Sequence, residues 1–316
     1  MPVSFNLRDK LVSMNDIIDS ESLHIVQKML NDGDIHHLSI GGIDHKLLPL
    51  LNLEHLTGIS ISNIPCFDLG FLAGIRKLKS LRLSFEGSSF GKKIMLNTIP
   101  RTDTLQSLTL ARVKGLKDLP AFINLNEINM RAVTDEHLDF LESYPAVRDV
   151  FISGGHLTGY NKLVQAKNLA RLRIIQSRKV DFDNIASEKA LNHSLKILEL
   201  SHCPSLTRFD FLQRFAALKY MDISSCNNLI SLRGIENCPQ LEVVNISECK
   251  SKDKNLQYLS AIKKVFVGIS YTKEEVKNFE KDFTGNIYSL GKYDKGNFDY
   301  LEHYTRYYSK SLDGFS

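Results

Sequence analysis

The sequence predicts an α/β solenoid of about eleven parallel strands. Turns, 3₁₀ segments or short helices face the other way, and helical caps close the ends. Three observations carry this. A nine-residue pattern, apolar at positions 1, 4 and 6 and small at 9 in the later units, recurs eleven times between residues 35 and 270. The starts are separated by 21, 22, 27, 20, 22, 22, 26, 23, 23 and 21 residues. Between the segments apolar residues come about every third position, as in Leu206, Phe209, Leu212 and Phe215. A unit this short cannot bury its apolar face alone, and stacking on its neighbours does so.

Taken from the start, "DSESLHIVQKMLNDG" (19–33) reads as a helix. Asp19 or Ser20 caps it, Leu23, Val26 and Leu30 form its stripe, and Gly33 terminates it. The chain thus divides into an N-terminal helical cap (1–34), a repeat array (35–270) and a C-terminal cap with a tail (271–316).

The array opens with "IHHLSIGGI" and "LTGISISNI", and runs through "LKSLRLSFE", "LQSLTLARV", "LNEINMRAV", "VRDVFISGG" and "LARLRIIQS". It ends with "LKILELSHC", "LKYMDISSC", "LEVVNISEC" and "IKKVFVGIS". Strand alternation sends positions 4 and 6 into the core and 3, 5 and 7 outward. Strands stacked at about 4.8 Å make an inner arc on the order of 50 Å.

This pattern resembles the leucine-rich repeat, L-x-x-L-x-L-x-x-N/C-x-L, in its short 22-residue class, as in internalins and a phosphatase-regulatory subunit. The resemblance covers about 35–270 and implies a horseshoe with the strands on the concave face. It also implies an Asn at position 9 that satisfies backbone groups in the turn. Here Ile43, Ile64, Val113 and Val133 stand there in early units, so the N-terminal half is expected to stack less regularly.

Two units are long. "GSSFGKKIML" (87–96) falls one residue short of a phosphate loop and has Lys93 where Ser or Thr is required, so it reads as a plain loop. "FDNIASEKALNHS" (182–194) reads as a helix opposite the strands. After the array, Thr272 with Glu275 has the form of a capping box, followed by Val276, Phe279 and Phe283. Seven of the eleven tyrosines fall at or after Tyr271, so the tail is Tyr-rich and reads as an extended cap.

The net charge of +4 is mild, and the basic strip is interrupted by carboxylates, which argues against nucleic acid. No segment is long and apolar enough to span a membrane. The first residues carry no secretory signal, and five cysteines suit a reducing compartment, so a cytoplasmic location is expected.

No catalytic motif, cofactor fingerprint or metal site is legible, and the chain reads as non-enzymatic with no cofactor. Cys203, Cys226 and Cys249 repeat every 23 residues at position 9. Stacked strands place them in a row, whereas a tetrahedral zinc needs sulfurs gathered around one centre. They read as a ladder of small buried thiols. A Cys203–His202 nucleophile pair is disfavoured because Cys203 points inward. The role of Cys66 is not legible.

Function is therefore expected on the strand-lined face. Its outward positions hold Arg82, Arg112, Arg131, Arg171 and Arg173, then Glu199, Asp222 and Glu248. Phe85, Phe151, Ile197, Tyr220 and Phe266 read as exposed apolar groups there. Arg and aromatic residues are the types enriched at binding hot spots. The candidate partner-binding set is Arg82, Arg112, Arg131, Phe151, Arg171, Arg173, Glu199, Tyr220, Asp222 and Phe266. The expectation is a module that binds a protein partner, in a narrower form a bacterial immunity protein that sequesters a toxin or enzyme. The alternative is a substrate-recognition or host-directed effector protein.

Overall fold

The computed structural model describes residues 3–6, 10–15, 20–42, 51–63, 68–85, 95–158, 160–178, 180–182, 191–268 and 270–289. In chain order the elements are β1 (Val3–Asn6), β2 (Leu11–Asn15), α1 (Ser20–Asn31), β3 (His37–Gly41), β4 (Gly58–Ser62), β5 (Ser80–Ser84), β6 (Ser107–Ala111) and β7 (Glu127–Arg131). Then come β8 (Thr134–His137), β9 (Asp149–Ser153), β10 (His156–Thr158), β11 (Arg171–Ile175), α2 (Leu191–Ser194) and β12 (Ile197–Ser201). Last are β13 (Tyr220–Ser224), β14 (Val243–Ser247), β15 (Lys264–Val267), α3 (Lys273–Glu280) and β16 (Asn286–Ser289).

The strands of all eleven units begin at position 3 of the repeat pattern. Alternation is the cause: positions 4 and 6, as in Leu198 and Leu200, are buried at 2% and 1% exposure. Burying one such side chain contributes about 1.5–3 kcal/mol.

The chain forms two compact units. The first is Met1–Val147 with Gly155–Thr158. Its sheet runs β1 to β7 in sequence order, with β1 antiparallel to β2 and the rest parallel. Short 3₁₀ helices, such as Leu116–Asp118 and Leu138–Ser143, return the chain between strands. Their apolar residues face the same core, where Phe122 stacks on Tyr144 and Tyr144 donates its hydroxyl to the Pro120 carbonyl. At the start, Val26 and Leu30 of α1 are fully buried, and Gly33 ends the helix with φ +72°. The sequence reading did not anticipate β1 and β2, which extend the sheet ahead of the array.

The second unit is Arg148–Gly154 with Gly159–Ser316. Its strands β9, β11, β12, β13, β14, β15 and β16 are all parallel and adjacent in that order. Phe182, Phe209, Phe211 and Phe215 cluster below them. Thr272 and Glu275 form the expected capping box on α3, which buries Val276 and Phe279. β16 adds one strand beyond the array.

The expected irregularity of the N-terminal half is not seen in its strands, because β2 to β7 pair residue for residue over five positions each. In nine of the repeats the turn after the strand does not depend on an Asn at position 9. Instead position 8 takes a left-handed backbone at Gly42, Asn63, Arg112, Ala132, Gly154, Gln176, His202, Ser225 and Glu248. For an L-residue this costs about 1–2 kcal/mol. The position-8 N–H then bonds to the next strand's position-7 carbonyl, as from Arg112 to Arg131 and from His202 to Ser224. Val113 and Val133 simply bury their side chains at position 9, with 1% exposure each.

The loop 87–94, most of the 182–194 insert, Cys66 and the tail after Ser289 lie outside the described residues. Of the expected insert helix, only the single turn α2 is described.

Candidate partner-binding face

In the first unit the outward positions are small and polar at the start. The imidazole of His37 sits over Gly58, where any Cβ would overlap it. A shallow hollow of about 280 Å³ opens there among Leu11, His37, Gly58, Ser60 and Ser80. Further along, Ser107 donates to Glu127 at 3.0 Å, and Asn129 donates to the same carboxylate at 3.0 Å. Arg82 and Arg131 are exposed at positions 5 and 7, and Arg112 is exposed in its left-handed turn.

In the second unit the strands gather four of the candidate residues, with Asp149, into one connected group. Parallel register sets Asp149 beside Arg171, and Arg173 between Phe151 and Glu199. Arg171 donates to a single oxygen of Glu199 from Nε at 3.0 Å and from Nη2 at 2.6 Å. Its Nη1 lies 3.9 Å from Asp149. Arg173 donates to Asp149 at 3.0 Å while its guanidinium lies 5.0 Å from the centre of the Phe151 ring. The two arginines are only 12% and 21% exposed, so their geometry is held by packing as well as charge.

Next along the sheet, Asp222 accepts from Asn245 at 2.8 Å and from the Tyr220 hydroxyl at 3.4 Å. Burial pushes the Asp222 carboxyl up to about 6, against the pull of the Asn245 hydrogen bond. Burial likewise pushes the Tyr220 hydroxyl well above its usual range. Asn245, at position 5 of β14, is 1% exposed, and its Oδ1 has no hydrogen-bond partner among the described residues. Sequence reasoning placed it outward but did not include it in the site.

The expected exposure of the large apolar residues needs correction. Tyr220 and Phe266 are each 1% exposed, Ile197 is 3% and Phe85 5%; only Phe151 is half-buried. Phe266 lies under Tyr288, with ring centroids 4.7 Å apart. An outward strand position sets the direction of a side chain and leaves open what covers it.

The described cysteines carry no arrangement for chemistry. Cys203, Cys226, Cys238 and Cys249 are buried and free. The Cys203 thiol points at the carbonyls of Ile174 and Ser201, whereas His202 is exposed with its Nδ1 2.8 Å from the Ser201 hydroxyl. Burial raises the thiols of Cys238 and Cys249 to about 11 and 12. Among the described residues no His, Cys, Asp or Glu cluster could hold a metal. No described helix is long and apolar enough to cross a membrane.

No protein-family model matches the sequence, and no curated protein matches it. Among solved structures the chain is similar to an internalin (inlF) from Listeria monocytogenes. The TM-score is 0.55 at 14% identity, over 88% of this chain and 86% of that one. It also matches internalin C2 (inlC2) from the same organism, with TM-score 0.43 and 16% identity over 70% and 83%. A leucine-rich repeat domain of APL1B matches with TM-score 0.38 and 13% identity over 92% and 89%. The first likeness shows the fold.

Proposed function

We propose, for a chain that has the leucine-rich-repeat fold, that it is a non-enzymatic module binding a protein partner on its strand-lined face. The observation that carries this reading is the relay Arg173–Asp149–Arg171–Glu199 with Phe151 beside it. Alternating charges held half-buried in one conformation are preorganised for a charged and aromatic counter-surface. In the first unit, by itself, the candidate contacts are Arg82, Arg112 and Arg131. Phe151, Arg171, Arg173, Glu199 and the half-buried Asp222 supply them in the second. Tyr220 and Phe266 are buried at 1% exposure each, and Phe266 supplies a contact only if Tyr288 moves off it.

In its narrower form the partner is a toxin or enzyme that a bacterial cytoplasmic protein sequesters. A face of fixed ion pairs and the lack of a legible reaction centre suit a stoichiometric inhibitor. The caps at 1–34 and 271–316 then serve the array and bring no activity.

The test is affinity capture from the native cell, followed by binding of the captured protein to Arg171→Glu with Arg173→Glu. A loss of about 100-fold or more in affinity, with the fold intact, supports the reading. Unchanged affinity sinks it. Turnover of a substrate that depends on His202 and Glu199 would replace it with an enzyme.

A further inference from the structure

The hollow of the first unit is built around a glycine that its backbone does not require. Outward position 3 runs through Leu11, His37, Gly58 and Ser80, register neighbours from β2 to β5 about 4.8 Å apart. Of the eleven repeat strands only β4 carries glycine at that position. Gly58 has no positive φ and pairs in regular register on both sides, so a residue with a side chain fits that backbone. Glycine inside a strand gives up a packing side chain and marks a close approach by another group. Here that group is the His37 imidazole, which leans across Gly58 into the space a Cβ would fill.

The groups around the ring are donors. Ser60 and Ser80 line the same hollow of about 280 Å³ with His37. Arg82 follows Ser60 in the ladder, so an exposed guanidinium stands at the border. The side chains of His37, Ser60, Ser80 and Arg82 make no hydrogen bond or ion pair among the described residues. An imidazole donates from one ring nitrogen in either tautomer, and the hydroxyls and the guanidinium donate as well. No carboxylate occupies position 3 or 5 from β2 to β6. Glu127 on β7 is the first along the face, and it already accepts from Ser107 and Asn129.

We propose that this hollow binds the phosphate group of a small phosphomonoester. Donors gathered without a carboxylate among them select an anion. An imidazole, two hydroxyls and a guanidinium fork are matched by the three free oxygens of a phosphate, whereas a carboxylate offers two. The volume lies just under the usual range of ligand sites, about 300–1,000 Å³, which limits the ligand to a phosphate with a small organic group. Gly58 then has a purpose: it lets the imidazole lie over the strand at the edge of the bound anion. The site belongs to the first unit by itself. It does not rest on the partner-binding reading, and each can fail without the other.

The test uses the full chain, isotope-labelled in its ten histidine rings and titrated with inorganic phosphate at constant ionic strength. The expected result is a saturable shift of the His37 ring signals, assigned by their loss in His37→Ala. The exposed ring of His202, in the second unit, is expected to stay in place. Arg82→Ala is expected to weaken phosphate binding about 10-fold. Gly58→Ala keeps every charge but puts a methyl group where the ring lies, and is expected to weaken binding at least as much. No saturable shift at His37, a shift shared by His202, or an equal affinity for acetate overturns the proposal. So does unchanged affinity in Arg82→Ala, or in a Gly58→Ala protein that keeps its circular dichroism. If Gly58→Ala does not fold, Arg82→Ala decides.

Discussion

Arg171 spends two of its donors, Nε at 3.0 Å and Nη2 at 2.6 Å, on one oxygen of Glu199, two residues beyond the strand's own register partner Ile197. Both side chains are mostly shielded, at 12% and 20% exposure, so the pair sits in a medium where an unpaired charge is costly.

Removing one partner should therefore cost more than removing both. Arg171→Ala strands Glu199 and weakens the hold on Asp149, and is expected to lose about 2–3 kcal/mol of stability. Glu199→Gln on top of it should recover part of that loss. Urea unfolding of the two single variants and the double variant measures the coupling. Additive losses would show that the pair is merely adjacent.

Asp222 makes stability depend on pH in an unusual direction for a carboxylate. Its native value of about 6, raised chiefly by burial, lies above the ordinary 3.8. Between those values the unfolded chain has released the proton and the native protein still holds it. This group's contribution is thus fully present below about pH 4 and lost as pH climbs to about 6. Asp222→Asn keeps an oxygen for Asn245 and Tyr220 without the charge. It is expected to gain about 1–2 kcal/mol above pH 6, and nothing below pH 4. Urea midpoints of both proteins from pH 4 to pH 8 check it.

The repeat phase was legible because alternation along a strand is strict: knowing that Leu198 and Leu200 point inward fixes where β12 starts. Arg171, Arg173, Glu199 and Asp222 followed from the same rule, since parallel register carries one position from strand to strand. The burial of Tyr220 and Phe266 was not legible, because direction along a strand says nothing of a cover that comes from elsewhere. The left-handed position 8 was also hidden. Gly42, Asn63 and Gly154 hint at it, but Arg112, Gln176 and Glu248 adopt the same conformation, and there the ladder bond outweighs local preference. β1 and β2 lie ahead of the first match to the repeat pattern, so no phase marked them, although β2 is as long as the repeat strands.

The four buried thiols should be inert in the folded protein. Thiolates are the reactive species, and burial holds Cys238 near 11 and Cys249 near 12; the Cys203 hydrogen bond lowers Cys226, but that residue is 0% exposed and out of a reagent's reach. Iodoacetamide at pH 8 is expected to leave Cys203, Cys226, Cys238 and Cys249 unlabelled in native protein and to label all four in urea. Native labelling of Cys203 or Cys226 would show that the ladder opens locally.

The C-terminal cap concentrates on one carboxylate. Glu275 accepts from the Thr272 backbone at 2.8 Å and from Lys250 of the preceding unit at 2.8 Å. The Lys250 ammonium first, with the Thr272 amide, holds its carboxyl below the usual range. Thr272→Ala removes the acceptor for the Glu275 amide and is expected to cost about 1 kcal/mol. Hydrogen exchange should report the loss as faster opening of α3, with the strands of the first unit unchanged.

Gly234 separates steric from torsional causes in the turns. Its φ of +104° lies outside the left-handed well that Asn or Arg tolerate elsewhere in the array, and a Cβ there would overlap the carbonyl of Phe209 and the amide of Asp210. Those backbone atoms are pinned, because the Phe209 amide donates to the Arg233 carbonyl at 3.1 Å and both flanking segments bury Phe209 and Ile235. Gly234→Ala cannot be absorbed by a rotamer change, and is expected to cost about 2–4 kcal/mol. Gly33 is the matching control: its φ is +72°, and nothing lies within 4 Å of the added carbon. Gly33→Ala is expected to lose only about 1 kcal/mol, the torsional part alone. Urea unfolding of the two variants reads the difference, and equal losses would mean that the backbone around Phe209 gives way to the methyl group.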